Sequence, residues 1–128
     1  PSVNPNSEAL NKSKTADWKL ETVCARGGDY HNEQTGELVS PISMATTYRQ
    51  TSPGIPVGDF DYSRADNPNR RLLEETMARL EAPEGDGYAC AFSSGLAAIH
   101  TLLSLLPAGA EVVCVDDVYG GVNRLLSK

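Results

Sequence analysis

The chain has 128 residues, of which 40% are hydrophobic and 22% are charged, a composition typical of one globular domain. Its formal net charge of -6 excludes the broadly basic surface that nucleic-acid binding requires. No apolar run approaches the length that spans a bilayer, and no signal-peptide pattern opens the chain. We therefore expect neither a nucleic acid nor a membrane as a partner.

The three cysteines, Cys24, Cys90 and Cys114, form an odd set without CxxC spacing. Cys90 and Cys114 lie within apolar, strand-like runs, so the pattern predicts reduced core residues in a cytoplasmic protein. His31 and His100 are the only histidines, which leaves too few ligands for a metal site. We expect no bound metal.

The first half of the chain has little predicted regular structure. Residues 1–16 are rich in Ser, Asn, Pro and Lys and predict a disordered lead-in. A short helix is predicted from Asp17 to Arg26, and prolines and glycines then exclude a helix or a central strand over much of 28–60. So long an irregular stretch is typical of a functional segment or of one that lies on a partner. We assign 17–60 as an N-terminal arm.

Regular structure is predicted to resume in 61–128, which we assign as the beginning of an α/β domain. Asn67 and Pro68 are typical of a helix N-cap and a first helical residue. The apolar residues that follow at helical spacing predict a buried stripe: Leu73, Met77 and Leu80. Glu75 and Arg79 predict an exposed pair on the same helix.

Two apolar runs, 88–92 and 111–115, are compact enough for buried strands, and helical spacing predicts a helix from Leu96 to Leu106 between them. Strand, helix and strand in this order form a right-handed βαβ unit. Because two strands do not make a sheet, we expect the chain to be the front of a longer α/β protein.

The corner between the first of these runs and the helix consists of Ser93, Ser94 and Gly95. The first helical N–H groups have no partner within a helix, and the helix dipole favours negative charge there. Small residues let an anion approach, so a phosphate site is one hypothesis. Taken alone, the corner is better explained as an ordinary serine-capped turn. Its place at the carboxyl end of a predicted strand, where ligands of parallel sheets gather, favours the phosphate.

Other candidate residues also have two interpretations. Arg64, two residues after Tyr62 and just ahead of a capped helix, suits bidentate binding of phosphate or carboxylate, or is a solvated surface arginine. Tyr119 is placed to stack on a planar ligand or to pack over the end of the sheet. Arg124 lies one helical turn further on and either faces the same cleft or is an exposed helix arginine.

Asp116 and Asp117 follow the second predicted strand. A general acid/base pair and a helix cap are both possible for them, and the cap is favoured. The sequence contains no GxSxG elbow, no Walker A motif and no HExxH motif. Hydrolase, P-loop and zinc-protease chemistry therefore have no support in the sequence.

Three segments in this order resemble the pyridoxal-phosphate (PLP) enzymes of cysteine and methionine metabolism: YSRADNPNR at 62–70, AFSSGLAA at 91–98 and DDVYGGVNR at 116–124. Within the family the pattern is most similar to the cystathionine gamma-lyases, and the cystathionine gamma-synthases, cystathionine beta-lyases and methionine gamma-lyases share much of it. The resemblance implies a three-layer α/β/α domain of fold type I, like that of aspartate aminotransferase. This chain would carry the incomplete N-terminal part of that PLP-binding domain.

The resemblance also implies a phosphate site shared between subunits. The backbone N–H groups of Gly95 and Leu96 would hold the PLP phosphate, and Tyr62 and Arg64 would reach that phosphate in a neighbouring subunit. The implied assembly is a homotetramer built from dimers that share active sites, with the arm lying against a partner.

For the substrate side, the resemblance implies that Tyr119 stacks on the pyridine ring and is catalytic. Arg64, Tyr119 and Arg124 would bind a small amino-acid substrate. The implied activity is that of a carbon–sulfur lyase of transsulfuration and cysteine biosynthesis, which cleaves L-cystathionine to L-cysteine, 2-oxobutanoate and ammonia.

The family's Schiff-base lysine, and the aspartate that pairs with the pyridine nitrogen, match no residue of this chain, and Lys128 sits in no matching motif. The chain alone is therefore expected to be inactive. Two alternatives stay open: another reaction on the same scaffold, of the gamma-synthase, beta-lyase or methionine gamma-lyase type, and a non-catalytic fragment that associates with a full-length subunit.

Overall fold

The computed structural model describes residues 18–26, 30–83 and 87–127. In order along these residues lie the elements α1 (Leu20–Arg26), β1 (Gln50–Ser52), β2 (Ile55–Pro56), α2 (Pro68–Glu81), α3 (Gly95–Ser104) and α4 (Gly120–Leu126). The chain divides into two compact units, Pro1–Cys90 and Ala91–Lys128. The predicted lead-in over 1–16 and the predicted helix start at Asp17 lie outside the described residues.

The prediction of a short helix that ends at Arg26 is confirmed by α1, which packs against α2. Val23 on α1 is 5% exposed, and among the described residues it is the single hydrophobic residue that is buried. The irregular character predicted for the following segment is also confirmed, because its regular structure between 30 and 60 is limited to the short antiparallel hairpin β1–β2 and an isolated bridge at Thr47. Gly54 has a φ of +78° in the hairpin turn, a conformation that glycine adopts without a steric penalty.

Hydrogen bonds tie the irregular segment to the start of α2. The N–H of Ser43 donates to Oδ1 of Asn69 over 2.8 Å, and Nδ2 of Asn69 donates to the carbonyl of Pro41 over 2.7 Å. Residues 46–48 also pair with 61–63, through N–H···O bonds from Tyr48 to Asp61 (3.0 Å) and from Ser63 to Thr46 (2.9 Å). The segment is therefore irregular but hydrogen-bonded both to the first turn of α2 and to the residues that precede this helix.

The predicted start of α2 is confirmed. Oδ1 of Asn67 accepts the N–H groups of Asn69 and Arg70 over 3.0 and 3.3 Å, and Pro68 is the first helical residue. The predicted buried stripe is wrong, since Leu73 and Met77 are exposed.

Glu75 lies midway along α2, between Arg71 and Arg79. It is partly buried, so the prediction of an exposed pair with Arg79 is wrong. Burial raises the pKa of the Glu75 carboxyl above its ordinary value, and the two guanidinium groups only partly offset this.

A carboxyl whose pKa is raised by folding stabilises the protein below its unfolded pKa, and this stability is lost as pH rises through the folded pKa. We therefore expect Glu75→Gln to raise the thermal midpoint of unfolding at pH 7 and to leave it unchanged at pH 3. Glu81→Gln, at the exposed end of α2, is the matched control without such a gain. A gain of equal size at both pH values for Glu75→Gln would contradict the burial account.

The structure differs most from expectation in the two runs that were predicted as strands. The prediction of strands at 88–92 and 111–115 is wrong for the described residues, since neither run is paired in a ladder and Val113 is 96% exposed. A strand requires a neighbouring strand for its N–H and C=O groups, and among the described residues neither run forms part of a β-ladder. The predicted burial of Cys90 and Cys114 is wrong for the same reason, as both thiols are free and exposed.

Both helices of the second unit begin at a glycine, α3 at Gly95 and α4 at Gly120. Ser94 is the N-cap of α3, which begins one residue earlier than predicted, at Gly95, and ends two residues earlier, at Ser104. The predicted cap by Asp116 or Asp117 is wrong, because the N-cap of α4 is Tyr119, without a side-chain hydrogen bond. Within the described ranges, no helix combines the length and apolarity needed to cross a membrane.

Candidate functional site

The first turn of α3 leaves two backbone donors open. Oγ of Ser94 accepts the N–H of Ala97 over 3.1 Å, and the Ser94 carbonyl accepts the N–H of Ala98 over 3.2 Å. Among the described residues, the N–H groups of Gly95 and Leu96 have no acceptor. A Cβ built on Gly95 would meet nothing within 4 Å, so the space over this turn is open. Two adjacent donors at the positive end of a helix suit an anion.

A cleft of about 360 Å³ lies beside this turn, within the second unit. It is lined by Leu96, Tyr119, Gly121, Arg124 and Leu125. Three of the residues predicted from the sequence therefore share one cleft. Gly121 and Leu125 were not predicted as site residues; the signal for Gly121 was the pair of glycines directly after Tyr119.

The two polar side chains of the cleft differ in how they are held. The Tyr119 carbonyl accepts the N–H groups of Val122 and Asn123 over 2.8 and 3.1 Å, which fixes its backbone, while its side chain stays open with the residue 75% exposed. Nε of Arg124 donates to the carbonyl of Gly120 over 3.4 Å. The exposed Arg124 guanidinium keeps donors for a carboxylate, and the Tyr119 ring has a face for a planar group.

The other predicted pair, Tyr62 and Arg64, lies in the first unit. Nη2 of Arg64 donates to the Tyr62 hydroxyl over 3.0 Å, and its guanidinium carbon lies 5.3 Å from the centroid of the Tyr62 ring. The two side chains therefore form a contact pair with cation–π geometry. Arg64 is exposed, so its remaining donors face solvent.

The backbone around Arg64 is fixed by Arg70, which sequence reasoning did not single out. Nη1 of Arg70 donates to the Ser63 carbonyl over 3.1 Å, and Nη2 donates to the Ala65 carbonyl over 2.8 Å. These carbonyls belong to the two neighbours of Arg64 in the sequence. Arg70 thus holds the loop on both sides of a side chain that itself stays open to solvent.

Arg71 contacts residues on either side of the same loop. Its guanidinium forms two hydrogen bonds with the Asp66 carboxylate, and Nη1 lies 3.5 Å from Oδ2 of Asp59. The guanidinium carbon also lies 4.3 Å from the centroid of the Phe60 ring. The only sequence signal for these contacts was a pair of arginines in the first turn of a helix that directly follows a loop.

The donor set fits a phosphorylated planar cofactor. A phosphate requires concentrated N–H donors and positive charge, which the α3 amides and Arg64 supply in their respective units. A pyridine ring requires an exposed aromatic face, which Tyr119 supplies in the same cleft as Leu96.

Comparison with known proteins identifies the same chemistry. Residues 21–128 match the model of the family described as Cys/Met metabolism PLP-dependent enzyme. The chain is 41% identical over 111 residues to the cystathionine gamma-lyase of Dictyostelium discoideum. This aligned region covers 87% of this chain and 28% of that protein. It is 44% identical over 109 residues to a cystathionine beta-lyase of Lactococcus lactis, with 85% and 28% covered.

Solved structures show the same relationship. A crystal structure of cystathionine gamma-lyase from yeast matches with a TM-score of 0.73 and 41% identity, over 87% of this chain and 27% of that one. The chain therefore spans little more than a quarter of the length of the relatives it matches. Its fold is the corresponding part of the α/β fold of these PLP-dependent enzymes.

Proposed function

Because the chain belongs to the Cys/Met metabolism PLP-dependent enzyme family, we propose that the protein that contains it is a carbon–sulfur lyase of transsulfuration. The proposed reaction cleaves L-cystathionine to L-cysteine, 2-oxobutanoate and ammonia. The observation that carries the proposal is the cleft that combines Tyr119 and Arg124 with Leu96, whose N–H is open at the start of α3. The similarity to cystathionine gamma-lyases supports this particular reaction.

In this proposal the N–H groups of Gly95 and Leu96 bind the PLP phosphate. The α3 dipole favours the dianion at this position, and no Cβ at residue 95 obstructs its approach. Tyr62 and Arg64 of a neighbouring subunit would complete the phosphate site, with the Arg64 guanidinium as a bidentate donor. The rigid loop around Arg64 supports this role, because a fixed backbone limits the side-chain positions that binding must order.

The cleft residues would hold the ring and the substrate. PLP, when bound, supplies an electron sink for the bond-breaking steps. In this proposal the Tyr119 ring would stack on the pyridine, and its phenol would move a proton at the reacting atoms. Arg64 and Arg124 bind and orient the substrate as carboxylate-binding groups.

The proposed protein is a cytoplasmic homotetramer of dimers that share active sites. Its divisions would be the lead-in 1–16, the arm 17–60 and the start of the PLP-binding domain from 61. The arm supports a role at a subunit contact because it presents exposed apolar side chains: Ile42 (84%) and Met44 (87%) are examples.

A second candidate is the beta-lyase or gamma-synthase reaction on the same scaffold. It is favoured by identities of 44% to both a cystathionine beta-lyase and a cystathionine gamma-synthase, no lower than those to the gamma-lyases of Dictyostelium and yeast. The site residues of this chain would have the same roles in each case.

The products separate these candidates. We expect the full-length protein, incubated with L-cystathionine and PLP, to release 2-oxobutanoate and cysteine, measured by chromatography of the keto acids. Pyruvate as the keto acid would contradict the gamma-lyase proposal and favour beta-cleavage.

The 128-residue chain is expected to release no keto acid in the same assay. Its lysines, Lys12, Lys14, Lys19 and Lys128, lie outside the three motifs, so none is placed to hold the cofactor covalently. Turnover by the isolated chain would contradict this expectation.

A further inference from the structure

Gly121 lies in the first turn of α4 and lines the cleft beside Tyr119. A Cβ built at position 121 would lie 2.6 Å from Cε1 and 3.1 Å from Cδ1 of the Tyr119 ring, and 3.4 Å from Cδ2 of Leu96. Carbon atoms in favourable contact are about 3.5–4.0 Å apart. The ring therefore occupies space that any side chain at position 121 would require.

Gly120, in the same turn, provides the internal comparison. A Cβ built there would meet nothing within 4 Å. Neither Gly120 nor Gly121 has a positive φ, so the backbone of either position accepts alanine without strain. The need for glycine at position 121 thus comes from the Tyr119 ring and not from the backbone.

We propose that Gly121 is a positioning residue for the Tyr119 ring. The lack of a side chain at position 121 lets the ring lie against α4 and Leu96. This position determines the orientation of the Tyr119 ring plane that faces the cleft. The residue is 75% exposed, so its ring can turn outward if a methyl group takes its place against the helix. The inference rests on the proposed function, in which that ring plane stacks on PLP.

The test compares Gly121→Ala with Gly120→Ala in the full-length protein, by fluorescence titration of the apo-protein with PLP. Aromatic stacking of this kind corresponds to a roughly threefold to tenfold change in dissociation constant. We expect Gly121→Ala to weaken PLP binding by this factor and Gly120→Ala to leave it unchanged. Both substitutions favour the helix, so neither should lower the thermal midpoint of the apo-protein. A lowered thermal midpoint for Gly121→Ala would mean that the added methyl group strains α4 and does not simply displace the Tyr119 ring. That result would overturn the inference.

A double-mutant cycle with Tyr119→Ala separates a positioning role from a structural one. If Gly121 acts through the ring, Gly121→Ala will cause no further loss of PLP affinity once Tyr119 is alanine. An equal loss in both backgrounds would overturn the inference and leave the proposed function intact, as would a loss for Tyr119→Ala without one for Gly121→Ala. If Tyr119→Ala leaves PLP affinity unchanged, the proposed stacking role fails and the inference fails with it.

Discussion

Gly95→Pro is expected to weaken PLP binding by the full-length protein about tenfold to a hundredfold while α3 stays folded. Proline removes one N–H donor, and a hydrogen bond to a charged group contributes about that factor. Gly95 is the first residue of α3, where helices accept proline. The preceding Ser94 has φ -159° and ψ 156°, within the extended region that a residue before proline adopts. The substitution therefore tests the donor and not the helix.

Gly95→Ala is the matched control, because alanine, like proline, adds a Cβ at this position but keeps the N–H group. We expect it to lose much less affinity than Gly95→Pro in the same titration of apo-protein with PLP. Far-UV circular dichroism checks that both variants keep the helical content of the parent. Equal affinities for the proline and alanine variants would contradict the assignment of this N–H to the phosphate.

Arg64→Ala is expected to reduce PLP affinity by a factor of about ten to a hundred, again because a charge-assisted contact to the phosphate is lost. The thermal stability of the apo-protein should change little, since Arg64 is exposed and contacts only Tyr62 among the interactions described for its side chain. Arg64→Lys should recover part of the loss, because lysine keeps the charge but not the planar fork of donors.

Arg49→Ala is the control for Arg64→Ala, because Arg49 is also an exposed arginine of the first unit. It removes the same charge without touching a residue of the candidate site, so PLP affinity should stay at the parent value. If Arg49→Ala and Arg64→Ala weakened binding equally, the effect would be one of net charge. The role proposed for Arg64 would then be wrong.

The starts of α2 and α3 could be predicted from the sequence because capping is local. Asn67 bonds to N–H groups two and three residues ahead, and Ser94 does so three residues ahead, so a few adjacent residues determine each start. The same locality explains why Leu96, Tyr119 and Arg124, which line one cleft in the structure, could all be selected as candidates from the sequence. Each lies at or within one turn of a helix start, and the two helices α3 and α4 pack together.

The errors concern structure that depends on distant residues. The runs 88–92 and 111–115 have strand-like sequences, but a β-ladder depends on pairing with a second strand, and neither run forms one among the described residues. Leu73 and Met77 share a helical face whose burial depends on what packs against it, and in this chain both are exposed. Helical periodicity predicts that such an apolar face exists but does not identify which other element packs against it.

The supporting residues of the site were missed for a similar reason. The bonds from Arg70 to the carbonyls on either side of Arg64 depend on the path of the loop, which the sequence does not specify. The space at Gly121 depends on the rotamer of Tyr119. Residue types could therefore indicate candidate residues for the phosphate and the ring, whereas the residues that hold those candidates in place could be identified only from the structure.

A crystal structure of the full-length protein with PLP tests the central claim most directly. The account predicts phosphate oxygens about 2.7–3.2 Å from the backbone nitrogens of Gly95 and Leu96, with an Arg64 guanidinium in contact with the same phosphate. A phosphate bound at another site, while the N–H groups at the start of α3 bond to the protein's own side chains, would contradict it.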